Sequence, residues 1–101
     1  MEFGDIELDL EKKVLINAVT GESIEVMKKE YLLLECLMKN SSRIVSKDYI
    51  YYYVWGFDDN ESSSLEVYVS FVRRKLKAIG AKTIIRVARG LGYKLEMSES
   101  E

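Results

Sequence analysis

The 101-residue chain is 48% apolar and 32% charged, with a net charge of −2, no histidine and one cysteine. This composition is typical of one globular domain with a modest core. No apolar run approaches the ~20 residues of a membrane span, and no signal peptide is recognised. The usual zinc sites and the Ser/His or Cys/His catalytic pairs require residues that this chain lacks. We therefore expect no enzyme, cofactor, metal or membrane association and, from the lone Cys36, a reducing cytoplasm.

The charge is distributed unevenly along the chain. Residues 1–35 hold nine acidic and four basic side chains, a balance of −5, whereas residues 73–95 hold eight basic and no acidic ones. A basic stretch on a nearly neutral domain favours a polyanion-binding face. A solvated basic helix end gives the same count, because cations favour helix C-termini.

The N-terminal quarter of the sequence has strand character. "DIELDL" alternates apolar and acidic residues, "KVLINA" follows, and "TGES" predicts a turn before "IEV". These segments predict three or four short antiparallel strands. A helix from about 27 to 40 follows, with Met27 where a capping Ser, Thr or Asp would be expected.

Two further helices and a hairpin complete the pattern. Ser46 is the predicted N-cap of the second helix, which ends at Gly56. The third helix, roughly 64–79, begins with a Ser63–Glu66 capping box. Its inward stripe is Leu65, Val69, Val72, Leu76 and Ile79. Gly80 ends it, and strands around 83–88 and 92–96 form a hairpin that we call the wing.

Two short motifs suggest chemistry that the sequence does not support. Gly90-x-Gly92 lacks the third glycine of a dinucleotide fingerprint, since Leu95 stands there and the order is strand–turn–strand. Asp58 and Asp59 could form an acid–base or metal pair, but "GFDDNESSS" favours solvated turn residues.

Four segments in order resemble the OmpR/PhoB-type winged-helix effector domain of two-component response regulators. They are Glu30-Tyr31-x-Leu33-Leu34, Val54-Trp55-Gly56, Arg73-x-Lys75-Leu76 and Arg89-Gly90-x-Gly92-Tyr93. The resemblance covers residues 3–95. It implies an α+β winged helix-turn-helix with an N-terminal antiparallel four-stranded sheet, three helices and a C-terminal wing. We place this domain at residues 1–96 and a disordered tail at 97–101.

The resemblance further implies transcriptional regulation through double-stranded DNA, with the third helix in the major groove and the wing in the minor groove. It implies an N-terminal receiver domain, and a fragment that is monomeric alone and forms a tandem pair on DNA. The implied base or groove contacts are Ser63, Val67, Tyr68, Ser70, Phe71, Arg74 and Arg89. The implied phosphate contacts are Lys47, Trp55, Ser64, Arg73 and Tyr93. Trp55 fits the hydrophobic core equally well, and Tyr93 fits packing under the wing.

The chain departs from this family first in the residues of the third helix and the wing that would contact DNA. Relatives carry arginine where Ser63, Ser70 and Phe71 stand, so base reading should lean apolar, with Phe71 and Val67 against thymine methyls and Arg74 as the remaining polar candidate. Relatives also carry threonine where Val87 stands, which removes one phosphate contact.

An aromatic and acidic surface is the second departure. Its members are Tyr49, Tyr52, Tyr53, Phe57, Asp58 and Asp59. The surface suits RNA polymerase or another protein partner, or the tyrosines simply pack on neighbouring elements. A protein-interaction module with weak or no DNA binding therefore remains the alternative function.

Overall fold

The computed structural model describes residues 1–41, 43–56 and 64–98. Four short antiparallel strands form the N-terminal sheet, in the order β1 (Glu2–Phe3), β2 (Ile6–Asp9), β3 (Val14–Asn17) and β4 (Ser23–Glu25). Each strand pairs with the next along the chain. Alternation in β2 and β3 buries Ile6, Leu8 and Leu15 on one face. The predicted strands of the N-terminal quarter are confirmed.

The described part of the chain contains three helices, α1 (Lys28–Lys39), α2 (Lys47–Trp55) and α3 (Leu65–Ala78). Of these, α1 packs against this sheet and against the other two helices. The five residues of the predicted inward stripe of α3, Leu65 to Ile79, are all buried. Cys36 of α1 lies in the same core, where burial raises the pKa of its thiol to about 11. In the described part of the chain, no helix has the length and apolar character of a membrane span.

The helix starts match the sequence pattern in one case and differ in another. Ser46 caps α2, because its Oγ accepts a hydrogen bond from the Tyr49 amide at 3.2 Å. The N-cap of α3 is Ser64, whose Oγ accepts from the Val67 amide at 3.3 Å. The predicted box at Ser63 was therefore wrong by one residue: Glu66 falls at the second helical position, one short of the place where it would reach back to the cap amide.

The start of α1 is held by an ion pair in place of a capping hydroxyl. Glu30 Oε1 accepts from the amide of Met27, the N-cap residue, at 2.7 Å. The same oxygen lies 2.7 Å from Lys75 Nζ of α3, which also donates to the Glu25 carbonyl at 2.8 Å. Glu30 is only 3% exposed. This buried carboxylate therefore joins α1, α3 and the end of β4.

The C-terminal sheet contains the wing and one added strand. β5 (Val45–Ser46), β6 (Thr83–Ala88) and β7 (Gly92–Met97) lie in the order β5-β7-β6. The β6–β7 hairpin confirms the predicted wing. β7 extends to Met97, and the Ser98 amide donates to the Lys82 carbonyl at 2.7 Å. The strand therefore ends one residue past the expected boundary at 96, and residues 99–101 of the expected tail lie outside the described ranges.

Asp5 fastens the N-terminal sheet to the start of the wing. Its carboxylate accepts from the Lys82 amide at 2.7 Å, the Thr83 amide at 3.1 Å and Thr83 Oγ1 at 2.7 Å. Partial burial alone would raise the pKa of Asp5, but these hydrogen bonds outweigh it and lower the pKa below its ordinary value of 3.8. These bonds join Asp5 to two residues that lie 77 and 78 positions further along the chain.

We expect Asp5→Asn to lower the free energy of unfolding at pH 7 by about 1–2 kcal/mol, since charge-assisted hydrogen bonds are lost. Because the folded-state pKa is depressed, this stabilisation is present above the ordinary value of 3.8 and disappears as the pH falls through the folded-state value. Urea unfolding at pH 7 and at pH 3 measures both effects. The difference between parent and variant should shrink at pH 3; a difference independent of pH would contradict this role for Asp5.

Candidate nucleic-acid interface

The outward face of α3 carries the residues that the sequence placed there. Val67 is 43% exposed, Ser70 and Arg74 are exposed, and Phe71 is half-buried. They lie opposite the buried stripe, as the helical repeat requires. Lys77, three residues after Arg74, is also exposed and joins this face, and that i+3 spacing is the signal by which the sequence could have placed it there. Ser63 lies outside the described residues.

A row of aromatic rings connects α2 to this face. Tyr51 stacks on Trp55 with ring centroids 4.5 Å apart, and Trp55 and Tyr68 form a T-shaped pair with centroids 5.6 Å apart. Tyr68 meets Phe71 at 5.5 Å, and the Arg74 guanidinium lies 5.7 Å from the Phe71 centroid. Tyr68, a predicted base contact, therefore packs between two other rings. The row orients Phe71 and Arg74 on the surface of α3.

Two predicted phosphate contacts belong to the core. Trp55 is 9% exposed, and its buried indole Nε1 has no hydrogen-bond partner among the described residues. Tyr93 is buried, and in the sheet it lies between Val45 and Val87. The Trp55 N–H is covered by its neighbours and is not presented at the surface of the described residues. Of the two interpretations of Trp55, the structure therefore supports packing, and it shows that Tyr93 packs under the wing.

The two wing glycines serve different purposes. Gly90 has a φ of +75° in the turn closed by the hydrogen bond from the Leu91 amide to the Ala88 carbonyl, at 2.8 Å, and Arg89 is exposed in this turn. Gly92 lies against β5: a Cβ atom there would stand 1.9 Å from the Val45 carbonyl oxygen. Gly90 therefore serves the turn, whereas Gly92 permits close packing of the strands.

Two side-chain contacts and one shared cleft show how the wing, α2 and α3 lie together. Arg73 donates two hydrogen bonds to the Ile85 carbonyl, from Nε at 3.2 Å and from Nη2 at 2.8 Å, which fixes α3 against β6. Lys47 Nζ lies 3.4 Å from Glu66 Oε2, which joins the first turns of α2 and α3. A shallow cleft lined by Lys47 and Leu91 places the wing tip beside the start of α2.

The predicted phosphate contacts on these elements already have partners. Arg73 holds a backbone carbonyl, Lys47 holds Glu66, and the Ser64 hydroxyl caps α3. The pKa of Glu66 is lowered by its own backbone amide and by Lys47. Arg73 and Lys47 are nevertheless exposed at the surface.

Ion pairs reduce the positive charge that the sequence count indicates. Lys75 pairs with Glu30, while Arg86 and Lys94 both pair with Glu96, one residue beyond the stretch that was counted. The hydrogen bond from Arg86 is the main cause of a lowered pKa at Glu96. Within the described ranges, five cations of residues 73–95 have no carboxylate in ion-pair distance. They are Arg73, Arg74, Lys77, Lys82 and Arg89.

The tyrosines of α2 divide between packing and exposure. Tyr53 donates its hydroxyl hydrogen bond to Glu35 Oε1 at 2.9 Å, and Lys39 Nζ lies 5.8 Å from the centre of its ring. Burial and the Glu35 hydrogen bond raise the pKa of Tyr53. Tyr49 and Tyr52 remain about half exposed. Three other members of the predicted partner surface, Phe57, Asp58 and Asp59, lie outside the described residues.

No group of three metal-binding side chains is found where the structure is described.

Comparison with known proteins supports the fold and gives the family. The family described as "Transcriptional regulatory protein, C terminal" matches residues 21–95. The transcriptional regulatory protein DltR of Streptococcus agalactiae is 36% identical over 97 residues, which are 95% of this chain and 42% of DltR. The sensory transduction protein RegX3 of Mycobacterium tuberculosis is 39% identical over 98 residues, 95% of this chain and 42% of RegX3. The chain thus spans about two-fifths of the length of these relatives.

A solved structure shows the same fold. The DNA-binding domain of Klebsiella pneumoniae RstA, in complex with the RstA box, has a TM-score of 0.73 and 20% sequence identity, covering 97% of this chain and 95% of that one. The sheet, the three helices and the wing therefore confirm the predicted winged helix-turn-helix. The chain belongs to the family of C-terminal domains of transcriptional regulatory proteins, the OmpR/PhoB-type winged-helix domains of response regulators.

Proposed function

We propose that the chain binds double-stranded DNA in a sequence-specific manner and thereby regulates transcription. The outward face of α3 enters the major groove, whose width admits one helix. The wing tip carries Arg89 into the adjacent minor groove, where a guanidinium suits the negative potential of A/T-rich DNA. Family membership and the description of RstA as a DNA-binding domain support this function.

One observation carries the proposal: α3 and the wing are fastened side by side, and both carry exposed cations without carboxylate partners in the described ranges. The hydrogen bonds from Arg73 to Ile85 fix the two elements together. Arg74 lies on the helix and Arg89 at the wing tip. Arg73 lies between α3 and the wing, and Lys47 lies beside the wing tip at the start of α2. These two residues are the phosphate contacts that we retain. Trp55 is left out, because its N–H is covered.

The role of this chain within a longer protein is inferred from its family and from the relatives, of which it spans about two-fifths. We infer that the chain is the cytoplasmic output domain of a two-component response regulator, preceded by a receiver domain in the full-length protein. Two copies would bind tandem half-sites, while the isolated domain stays monomeric. Tyr49 and Tyr52, half exposed on α2, would contact RNA polymerase, a role that exposed aromatic side chains favour.

Replacing Arg89 by alanine should weaken binding to a selected duplex by about 1–3 kcal/mol and relax the preference for A/T pairs in the flank. The plot of log affinity against log salt concentration should become less steep by about 1, because the variant has one cation fewer near the phosphates. Fluorescence anisotropy at several salt concentrations measures both quantities. Lys12→Ala, the same loss of charge at an exposed turn of the N-terminal sheet, is the matched control and should have little effect. If Arg89→Ala bound like the parent, the role of the wing would be wrong.

A further inference from the structure

Phe71 and Arg74 form one structural unit on the outward face of α3. Phe71 and Tyr68 form a T-shaped pair, with an angle of 81° between the two rings. The guanidinium carbon of Arg74 lies 5.7 Å from the Phe71 centroid, within cation–π range. Arg74 has no ion-pair partner where the structure is described, so no carboxylate there holds its N–H donors. Val67, one turn earlier, adds exposed apolar surface.

The chemistry of the major groove limits what such a unit can recognise. Val67 and Phe71 offer only carbon atoms, and the thymine C5-methyl is the apolar group that a base pair presents there. A guanidinium that stacks on a ring by one face keeps its N–H donors free at the edge, and guanine O6 and N7 accept two of them. Phe71 and Arg74 are three residues apart, a rise of about 4.5 Å along the helix. This is close to the ~3.4 Å between neighbouring bases of one strand.

We propose that α3 reads a thymine next to a guanine, an inference that rests on the proposed DNA binding. Phe71 contacts the thymine methyl, and Arg74 donates two hydrogen bonds to the neighbouring guanine. Val67 contacts a second thymine about two base pairs away, because residues four apart are separated by about 6 Å. Phe71 is also the positioning residue for Arg74, since its ring sets the plane of the guanidinium. Phe71, which stands where relatives carry arginine, therefore changes the sequence that is read and does not abolish reading.

The test uses base analogues in a duplex selected from a random pool by the parent domain. Deoxyuridine replaces each thymine in turn and removes only the methyl group. Affinity should fall about fourfold at each contacted thymine, the effect of one buried methyl-sized group. 7-Deazaguanine at the neighbouring guanine removes the N7 acceptor and should weaken binding about fivefold or more.

Two variants separate contact from positioning. Phe71→Ala should lose the response to deoxyuridine at the thymine next to the guanine and keep it at the second thymine, which Val67 contacts. Its loss of affinity with 7-deazaguanine should become smaller, because Arg74 is no longer oriented. Arg74→Met should keep the response to deoxyuridine and lose the response to 7-deazaguanine, because methionine has no donor for guanine N7. Amide spectra of both variants, matched to that of the parent, ensure that the fold is retained.

The outcomes distinguish this inference from the proposed function. A selected duplex that binds tightly but is indifferent to every deoxyuridine substitution overturns the reading by Phe71 and Val67 and leaves DNA binding intact. An undiminished response to 7-deazaguanine in Phe71→Ala overturns the positioning role. A pool from which no duplex is selected overturns the proposed function itself.

Discussion

Gly92→Ala is expected to destabilise the domain by about 3 kcal/mol or more, the range of severe overpacking. The new Cβ would stand 1.9 Å from the Val45 carbonyl oxygen and 2.7 Å from its carbon, both backbone atoms that cannot rotate away. Gly92 also has a φ of +154°, a backbone conformation that residues other than glycine rarely adopt. Relief requires that β5 separate from β7, so the start of α2 would lose its anchor to the wing.

Gly90→Ala is the matched control for this substitution. Gly90 has a φ of +75°, and no atom lies within 4 Å of the position that a Cβ would take there. Its substitution should cost only about 1 kcal/mol, the penalty of a left-handed conformation. Denaturant unfolding of both variants measures the difference. Equal effects at the two glycines would contradict the close approach of β5 to Gly92.

Lys75→Met should destabilise the domain by about 3 kcal/mol, because it leaves the Glu30 carboxylate buried without its cation. Glu30 is 3% exposed and lies 2.7 Å from Lys75 Nζ. The Met27 amide would still donate to that carboxylate, so part of its solvation remains. Chemical denaturation at pH 7 measures the loss of stability.

Two further variants show whether burial causes this effect. Lys47→Met breaks the pair with Glu66, whose side chains are 51% and 59% exposed, and should change stability by less than about 1 kcal/mol. In the double variant Glu30→Gln/Lys75→Met the glutamine can still accept from the Met27 amide and no buried charge remains, so most of the lost stability should return. A double variant no more stable than Lys75→Met would show that packing, and not charge, accounts for the loss.

Features that depend on local spacing could be predicted from the sequence. The buried stripe of α3, the Ser46 cap and the wing strands follow from the repeats of helix and strand and from a hydroxyl placed just before a helix. The cap of α3 could not be fixed to one residue, because "ESSSLE" offers consecutive serines and the choice depends on where the helix joins the core. Glu66 was then free to pair with Lys47, nineteen residues away in the chain.

Features that depend on distant contacts could not be predicted. Glu30 lies 45 residues from Lys75, and Glu96 fell just outside the segment whose charge was counted, so the positive charge of the wing was overestimated. The position of Trp55 at the end of α2 fits either a core or a surface site, and its packing against Tyr68 decides between them. The resemblance to a family predicted the fold correctly, but the partners of Arg73 follow only from the three-dimensional structure.

The central claim is that the outward face of α3 and the wing tip form one DNA-binding surface. Amide chemical shifts of the domain, recorded while a selected duplex is added, test it most directly. We predict that the perturbed amides cluster in residues 64–75 and 86–93. Unchanged amides in both segments, with perturbations confined to residues 49–56 when an RNA polymerase subunit is added, would contradict the claim and favour a protein-interaction module.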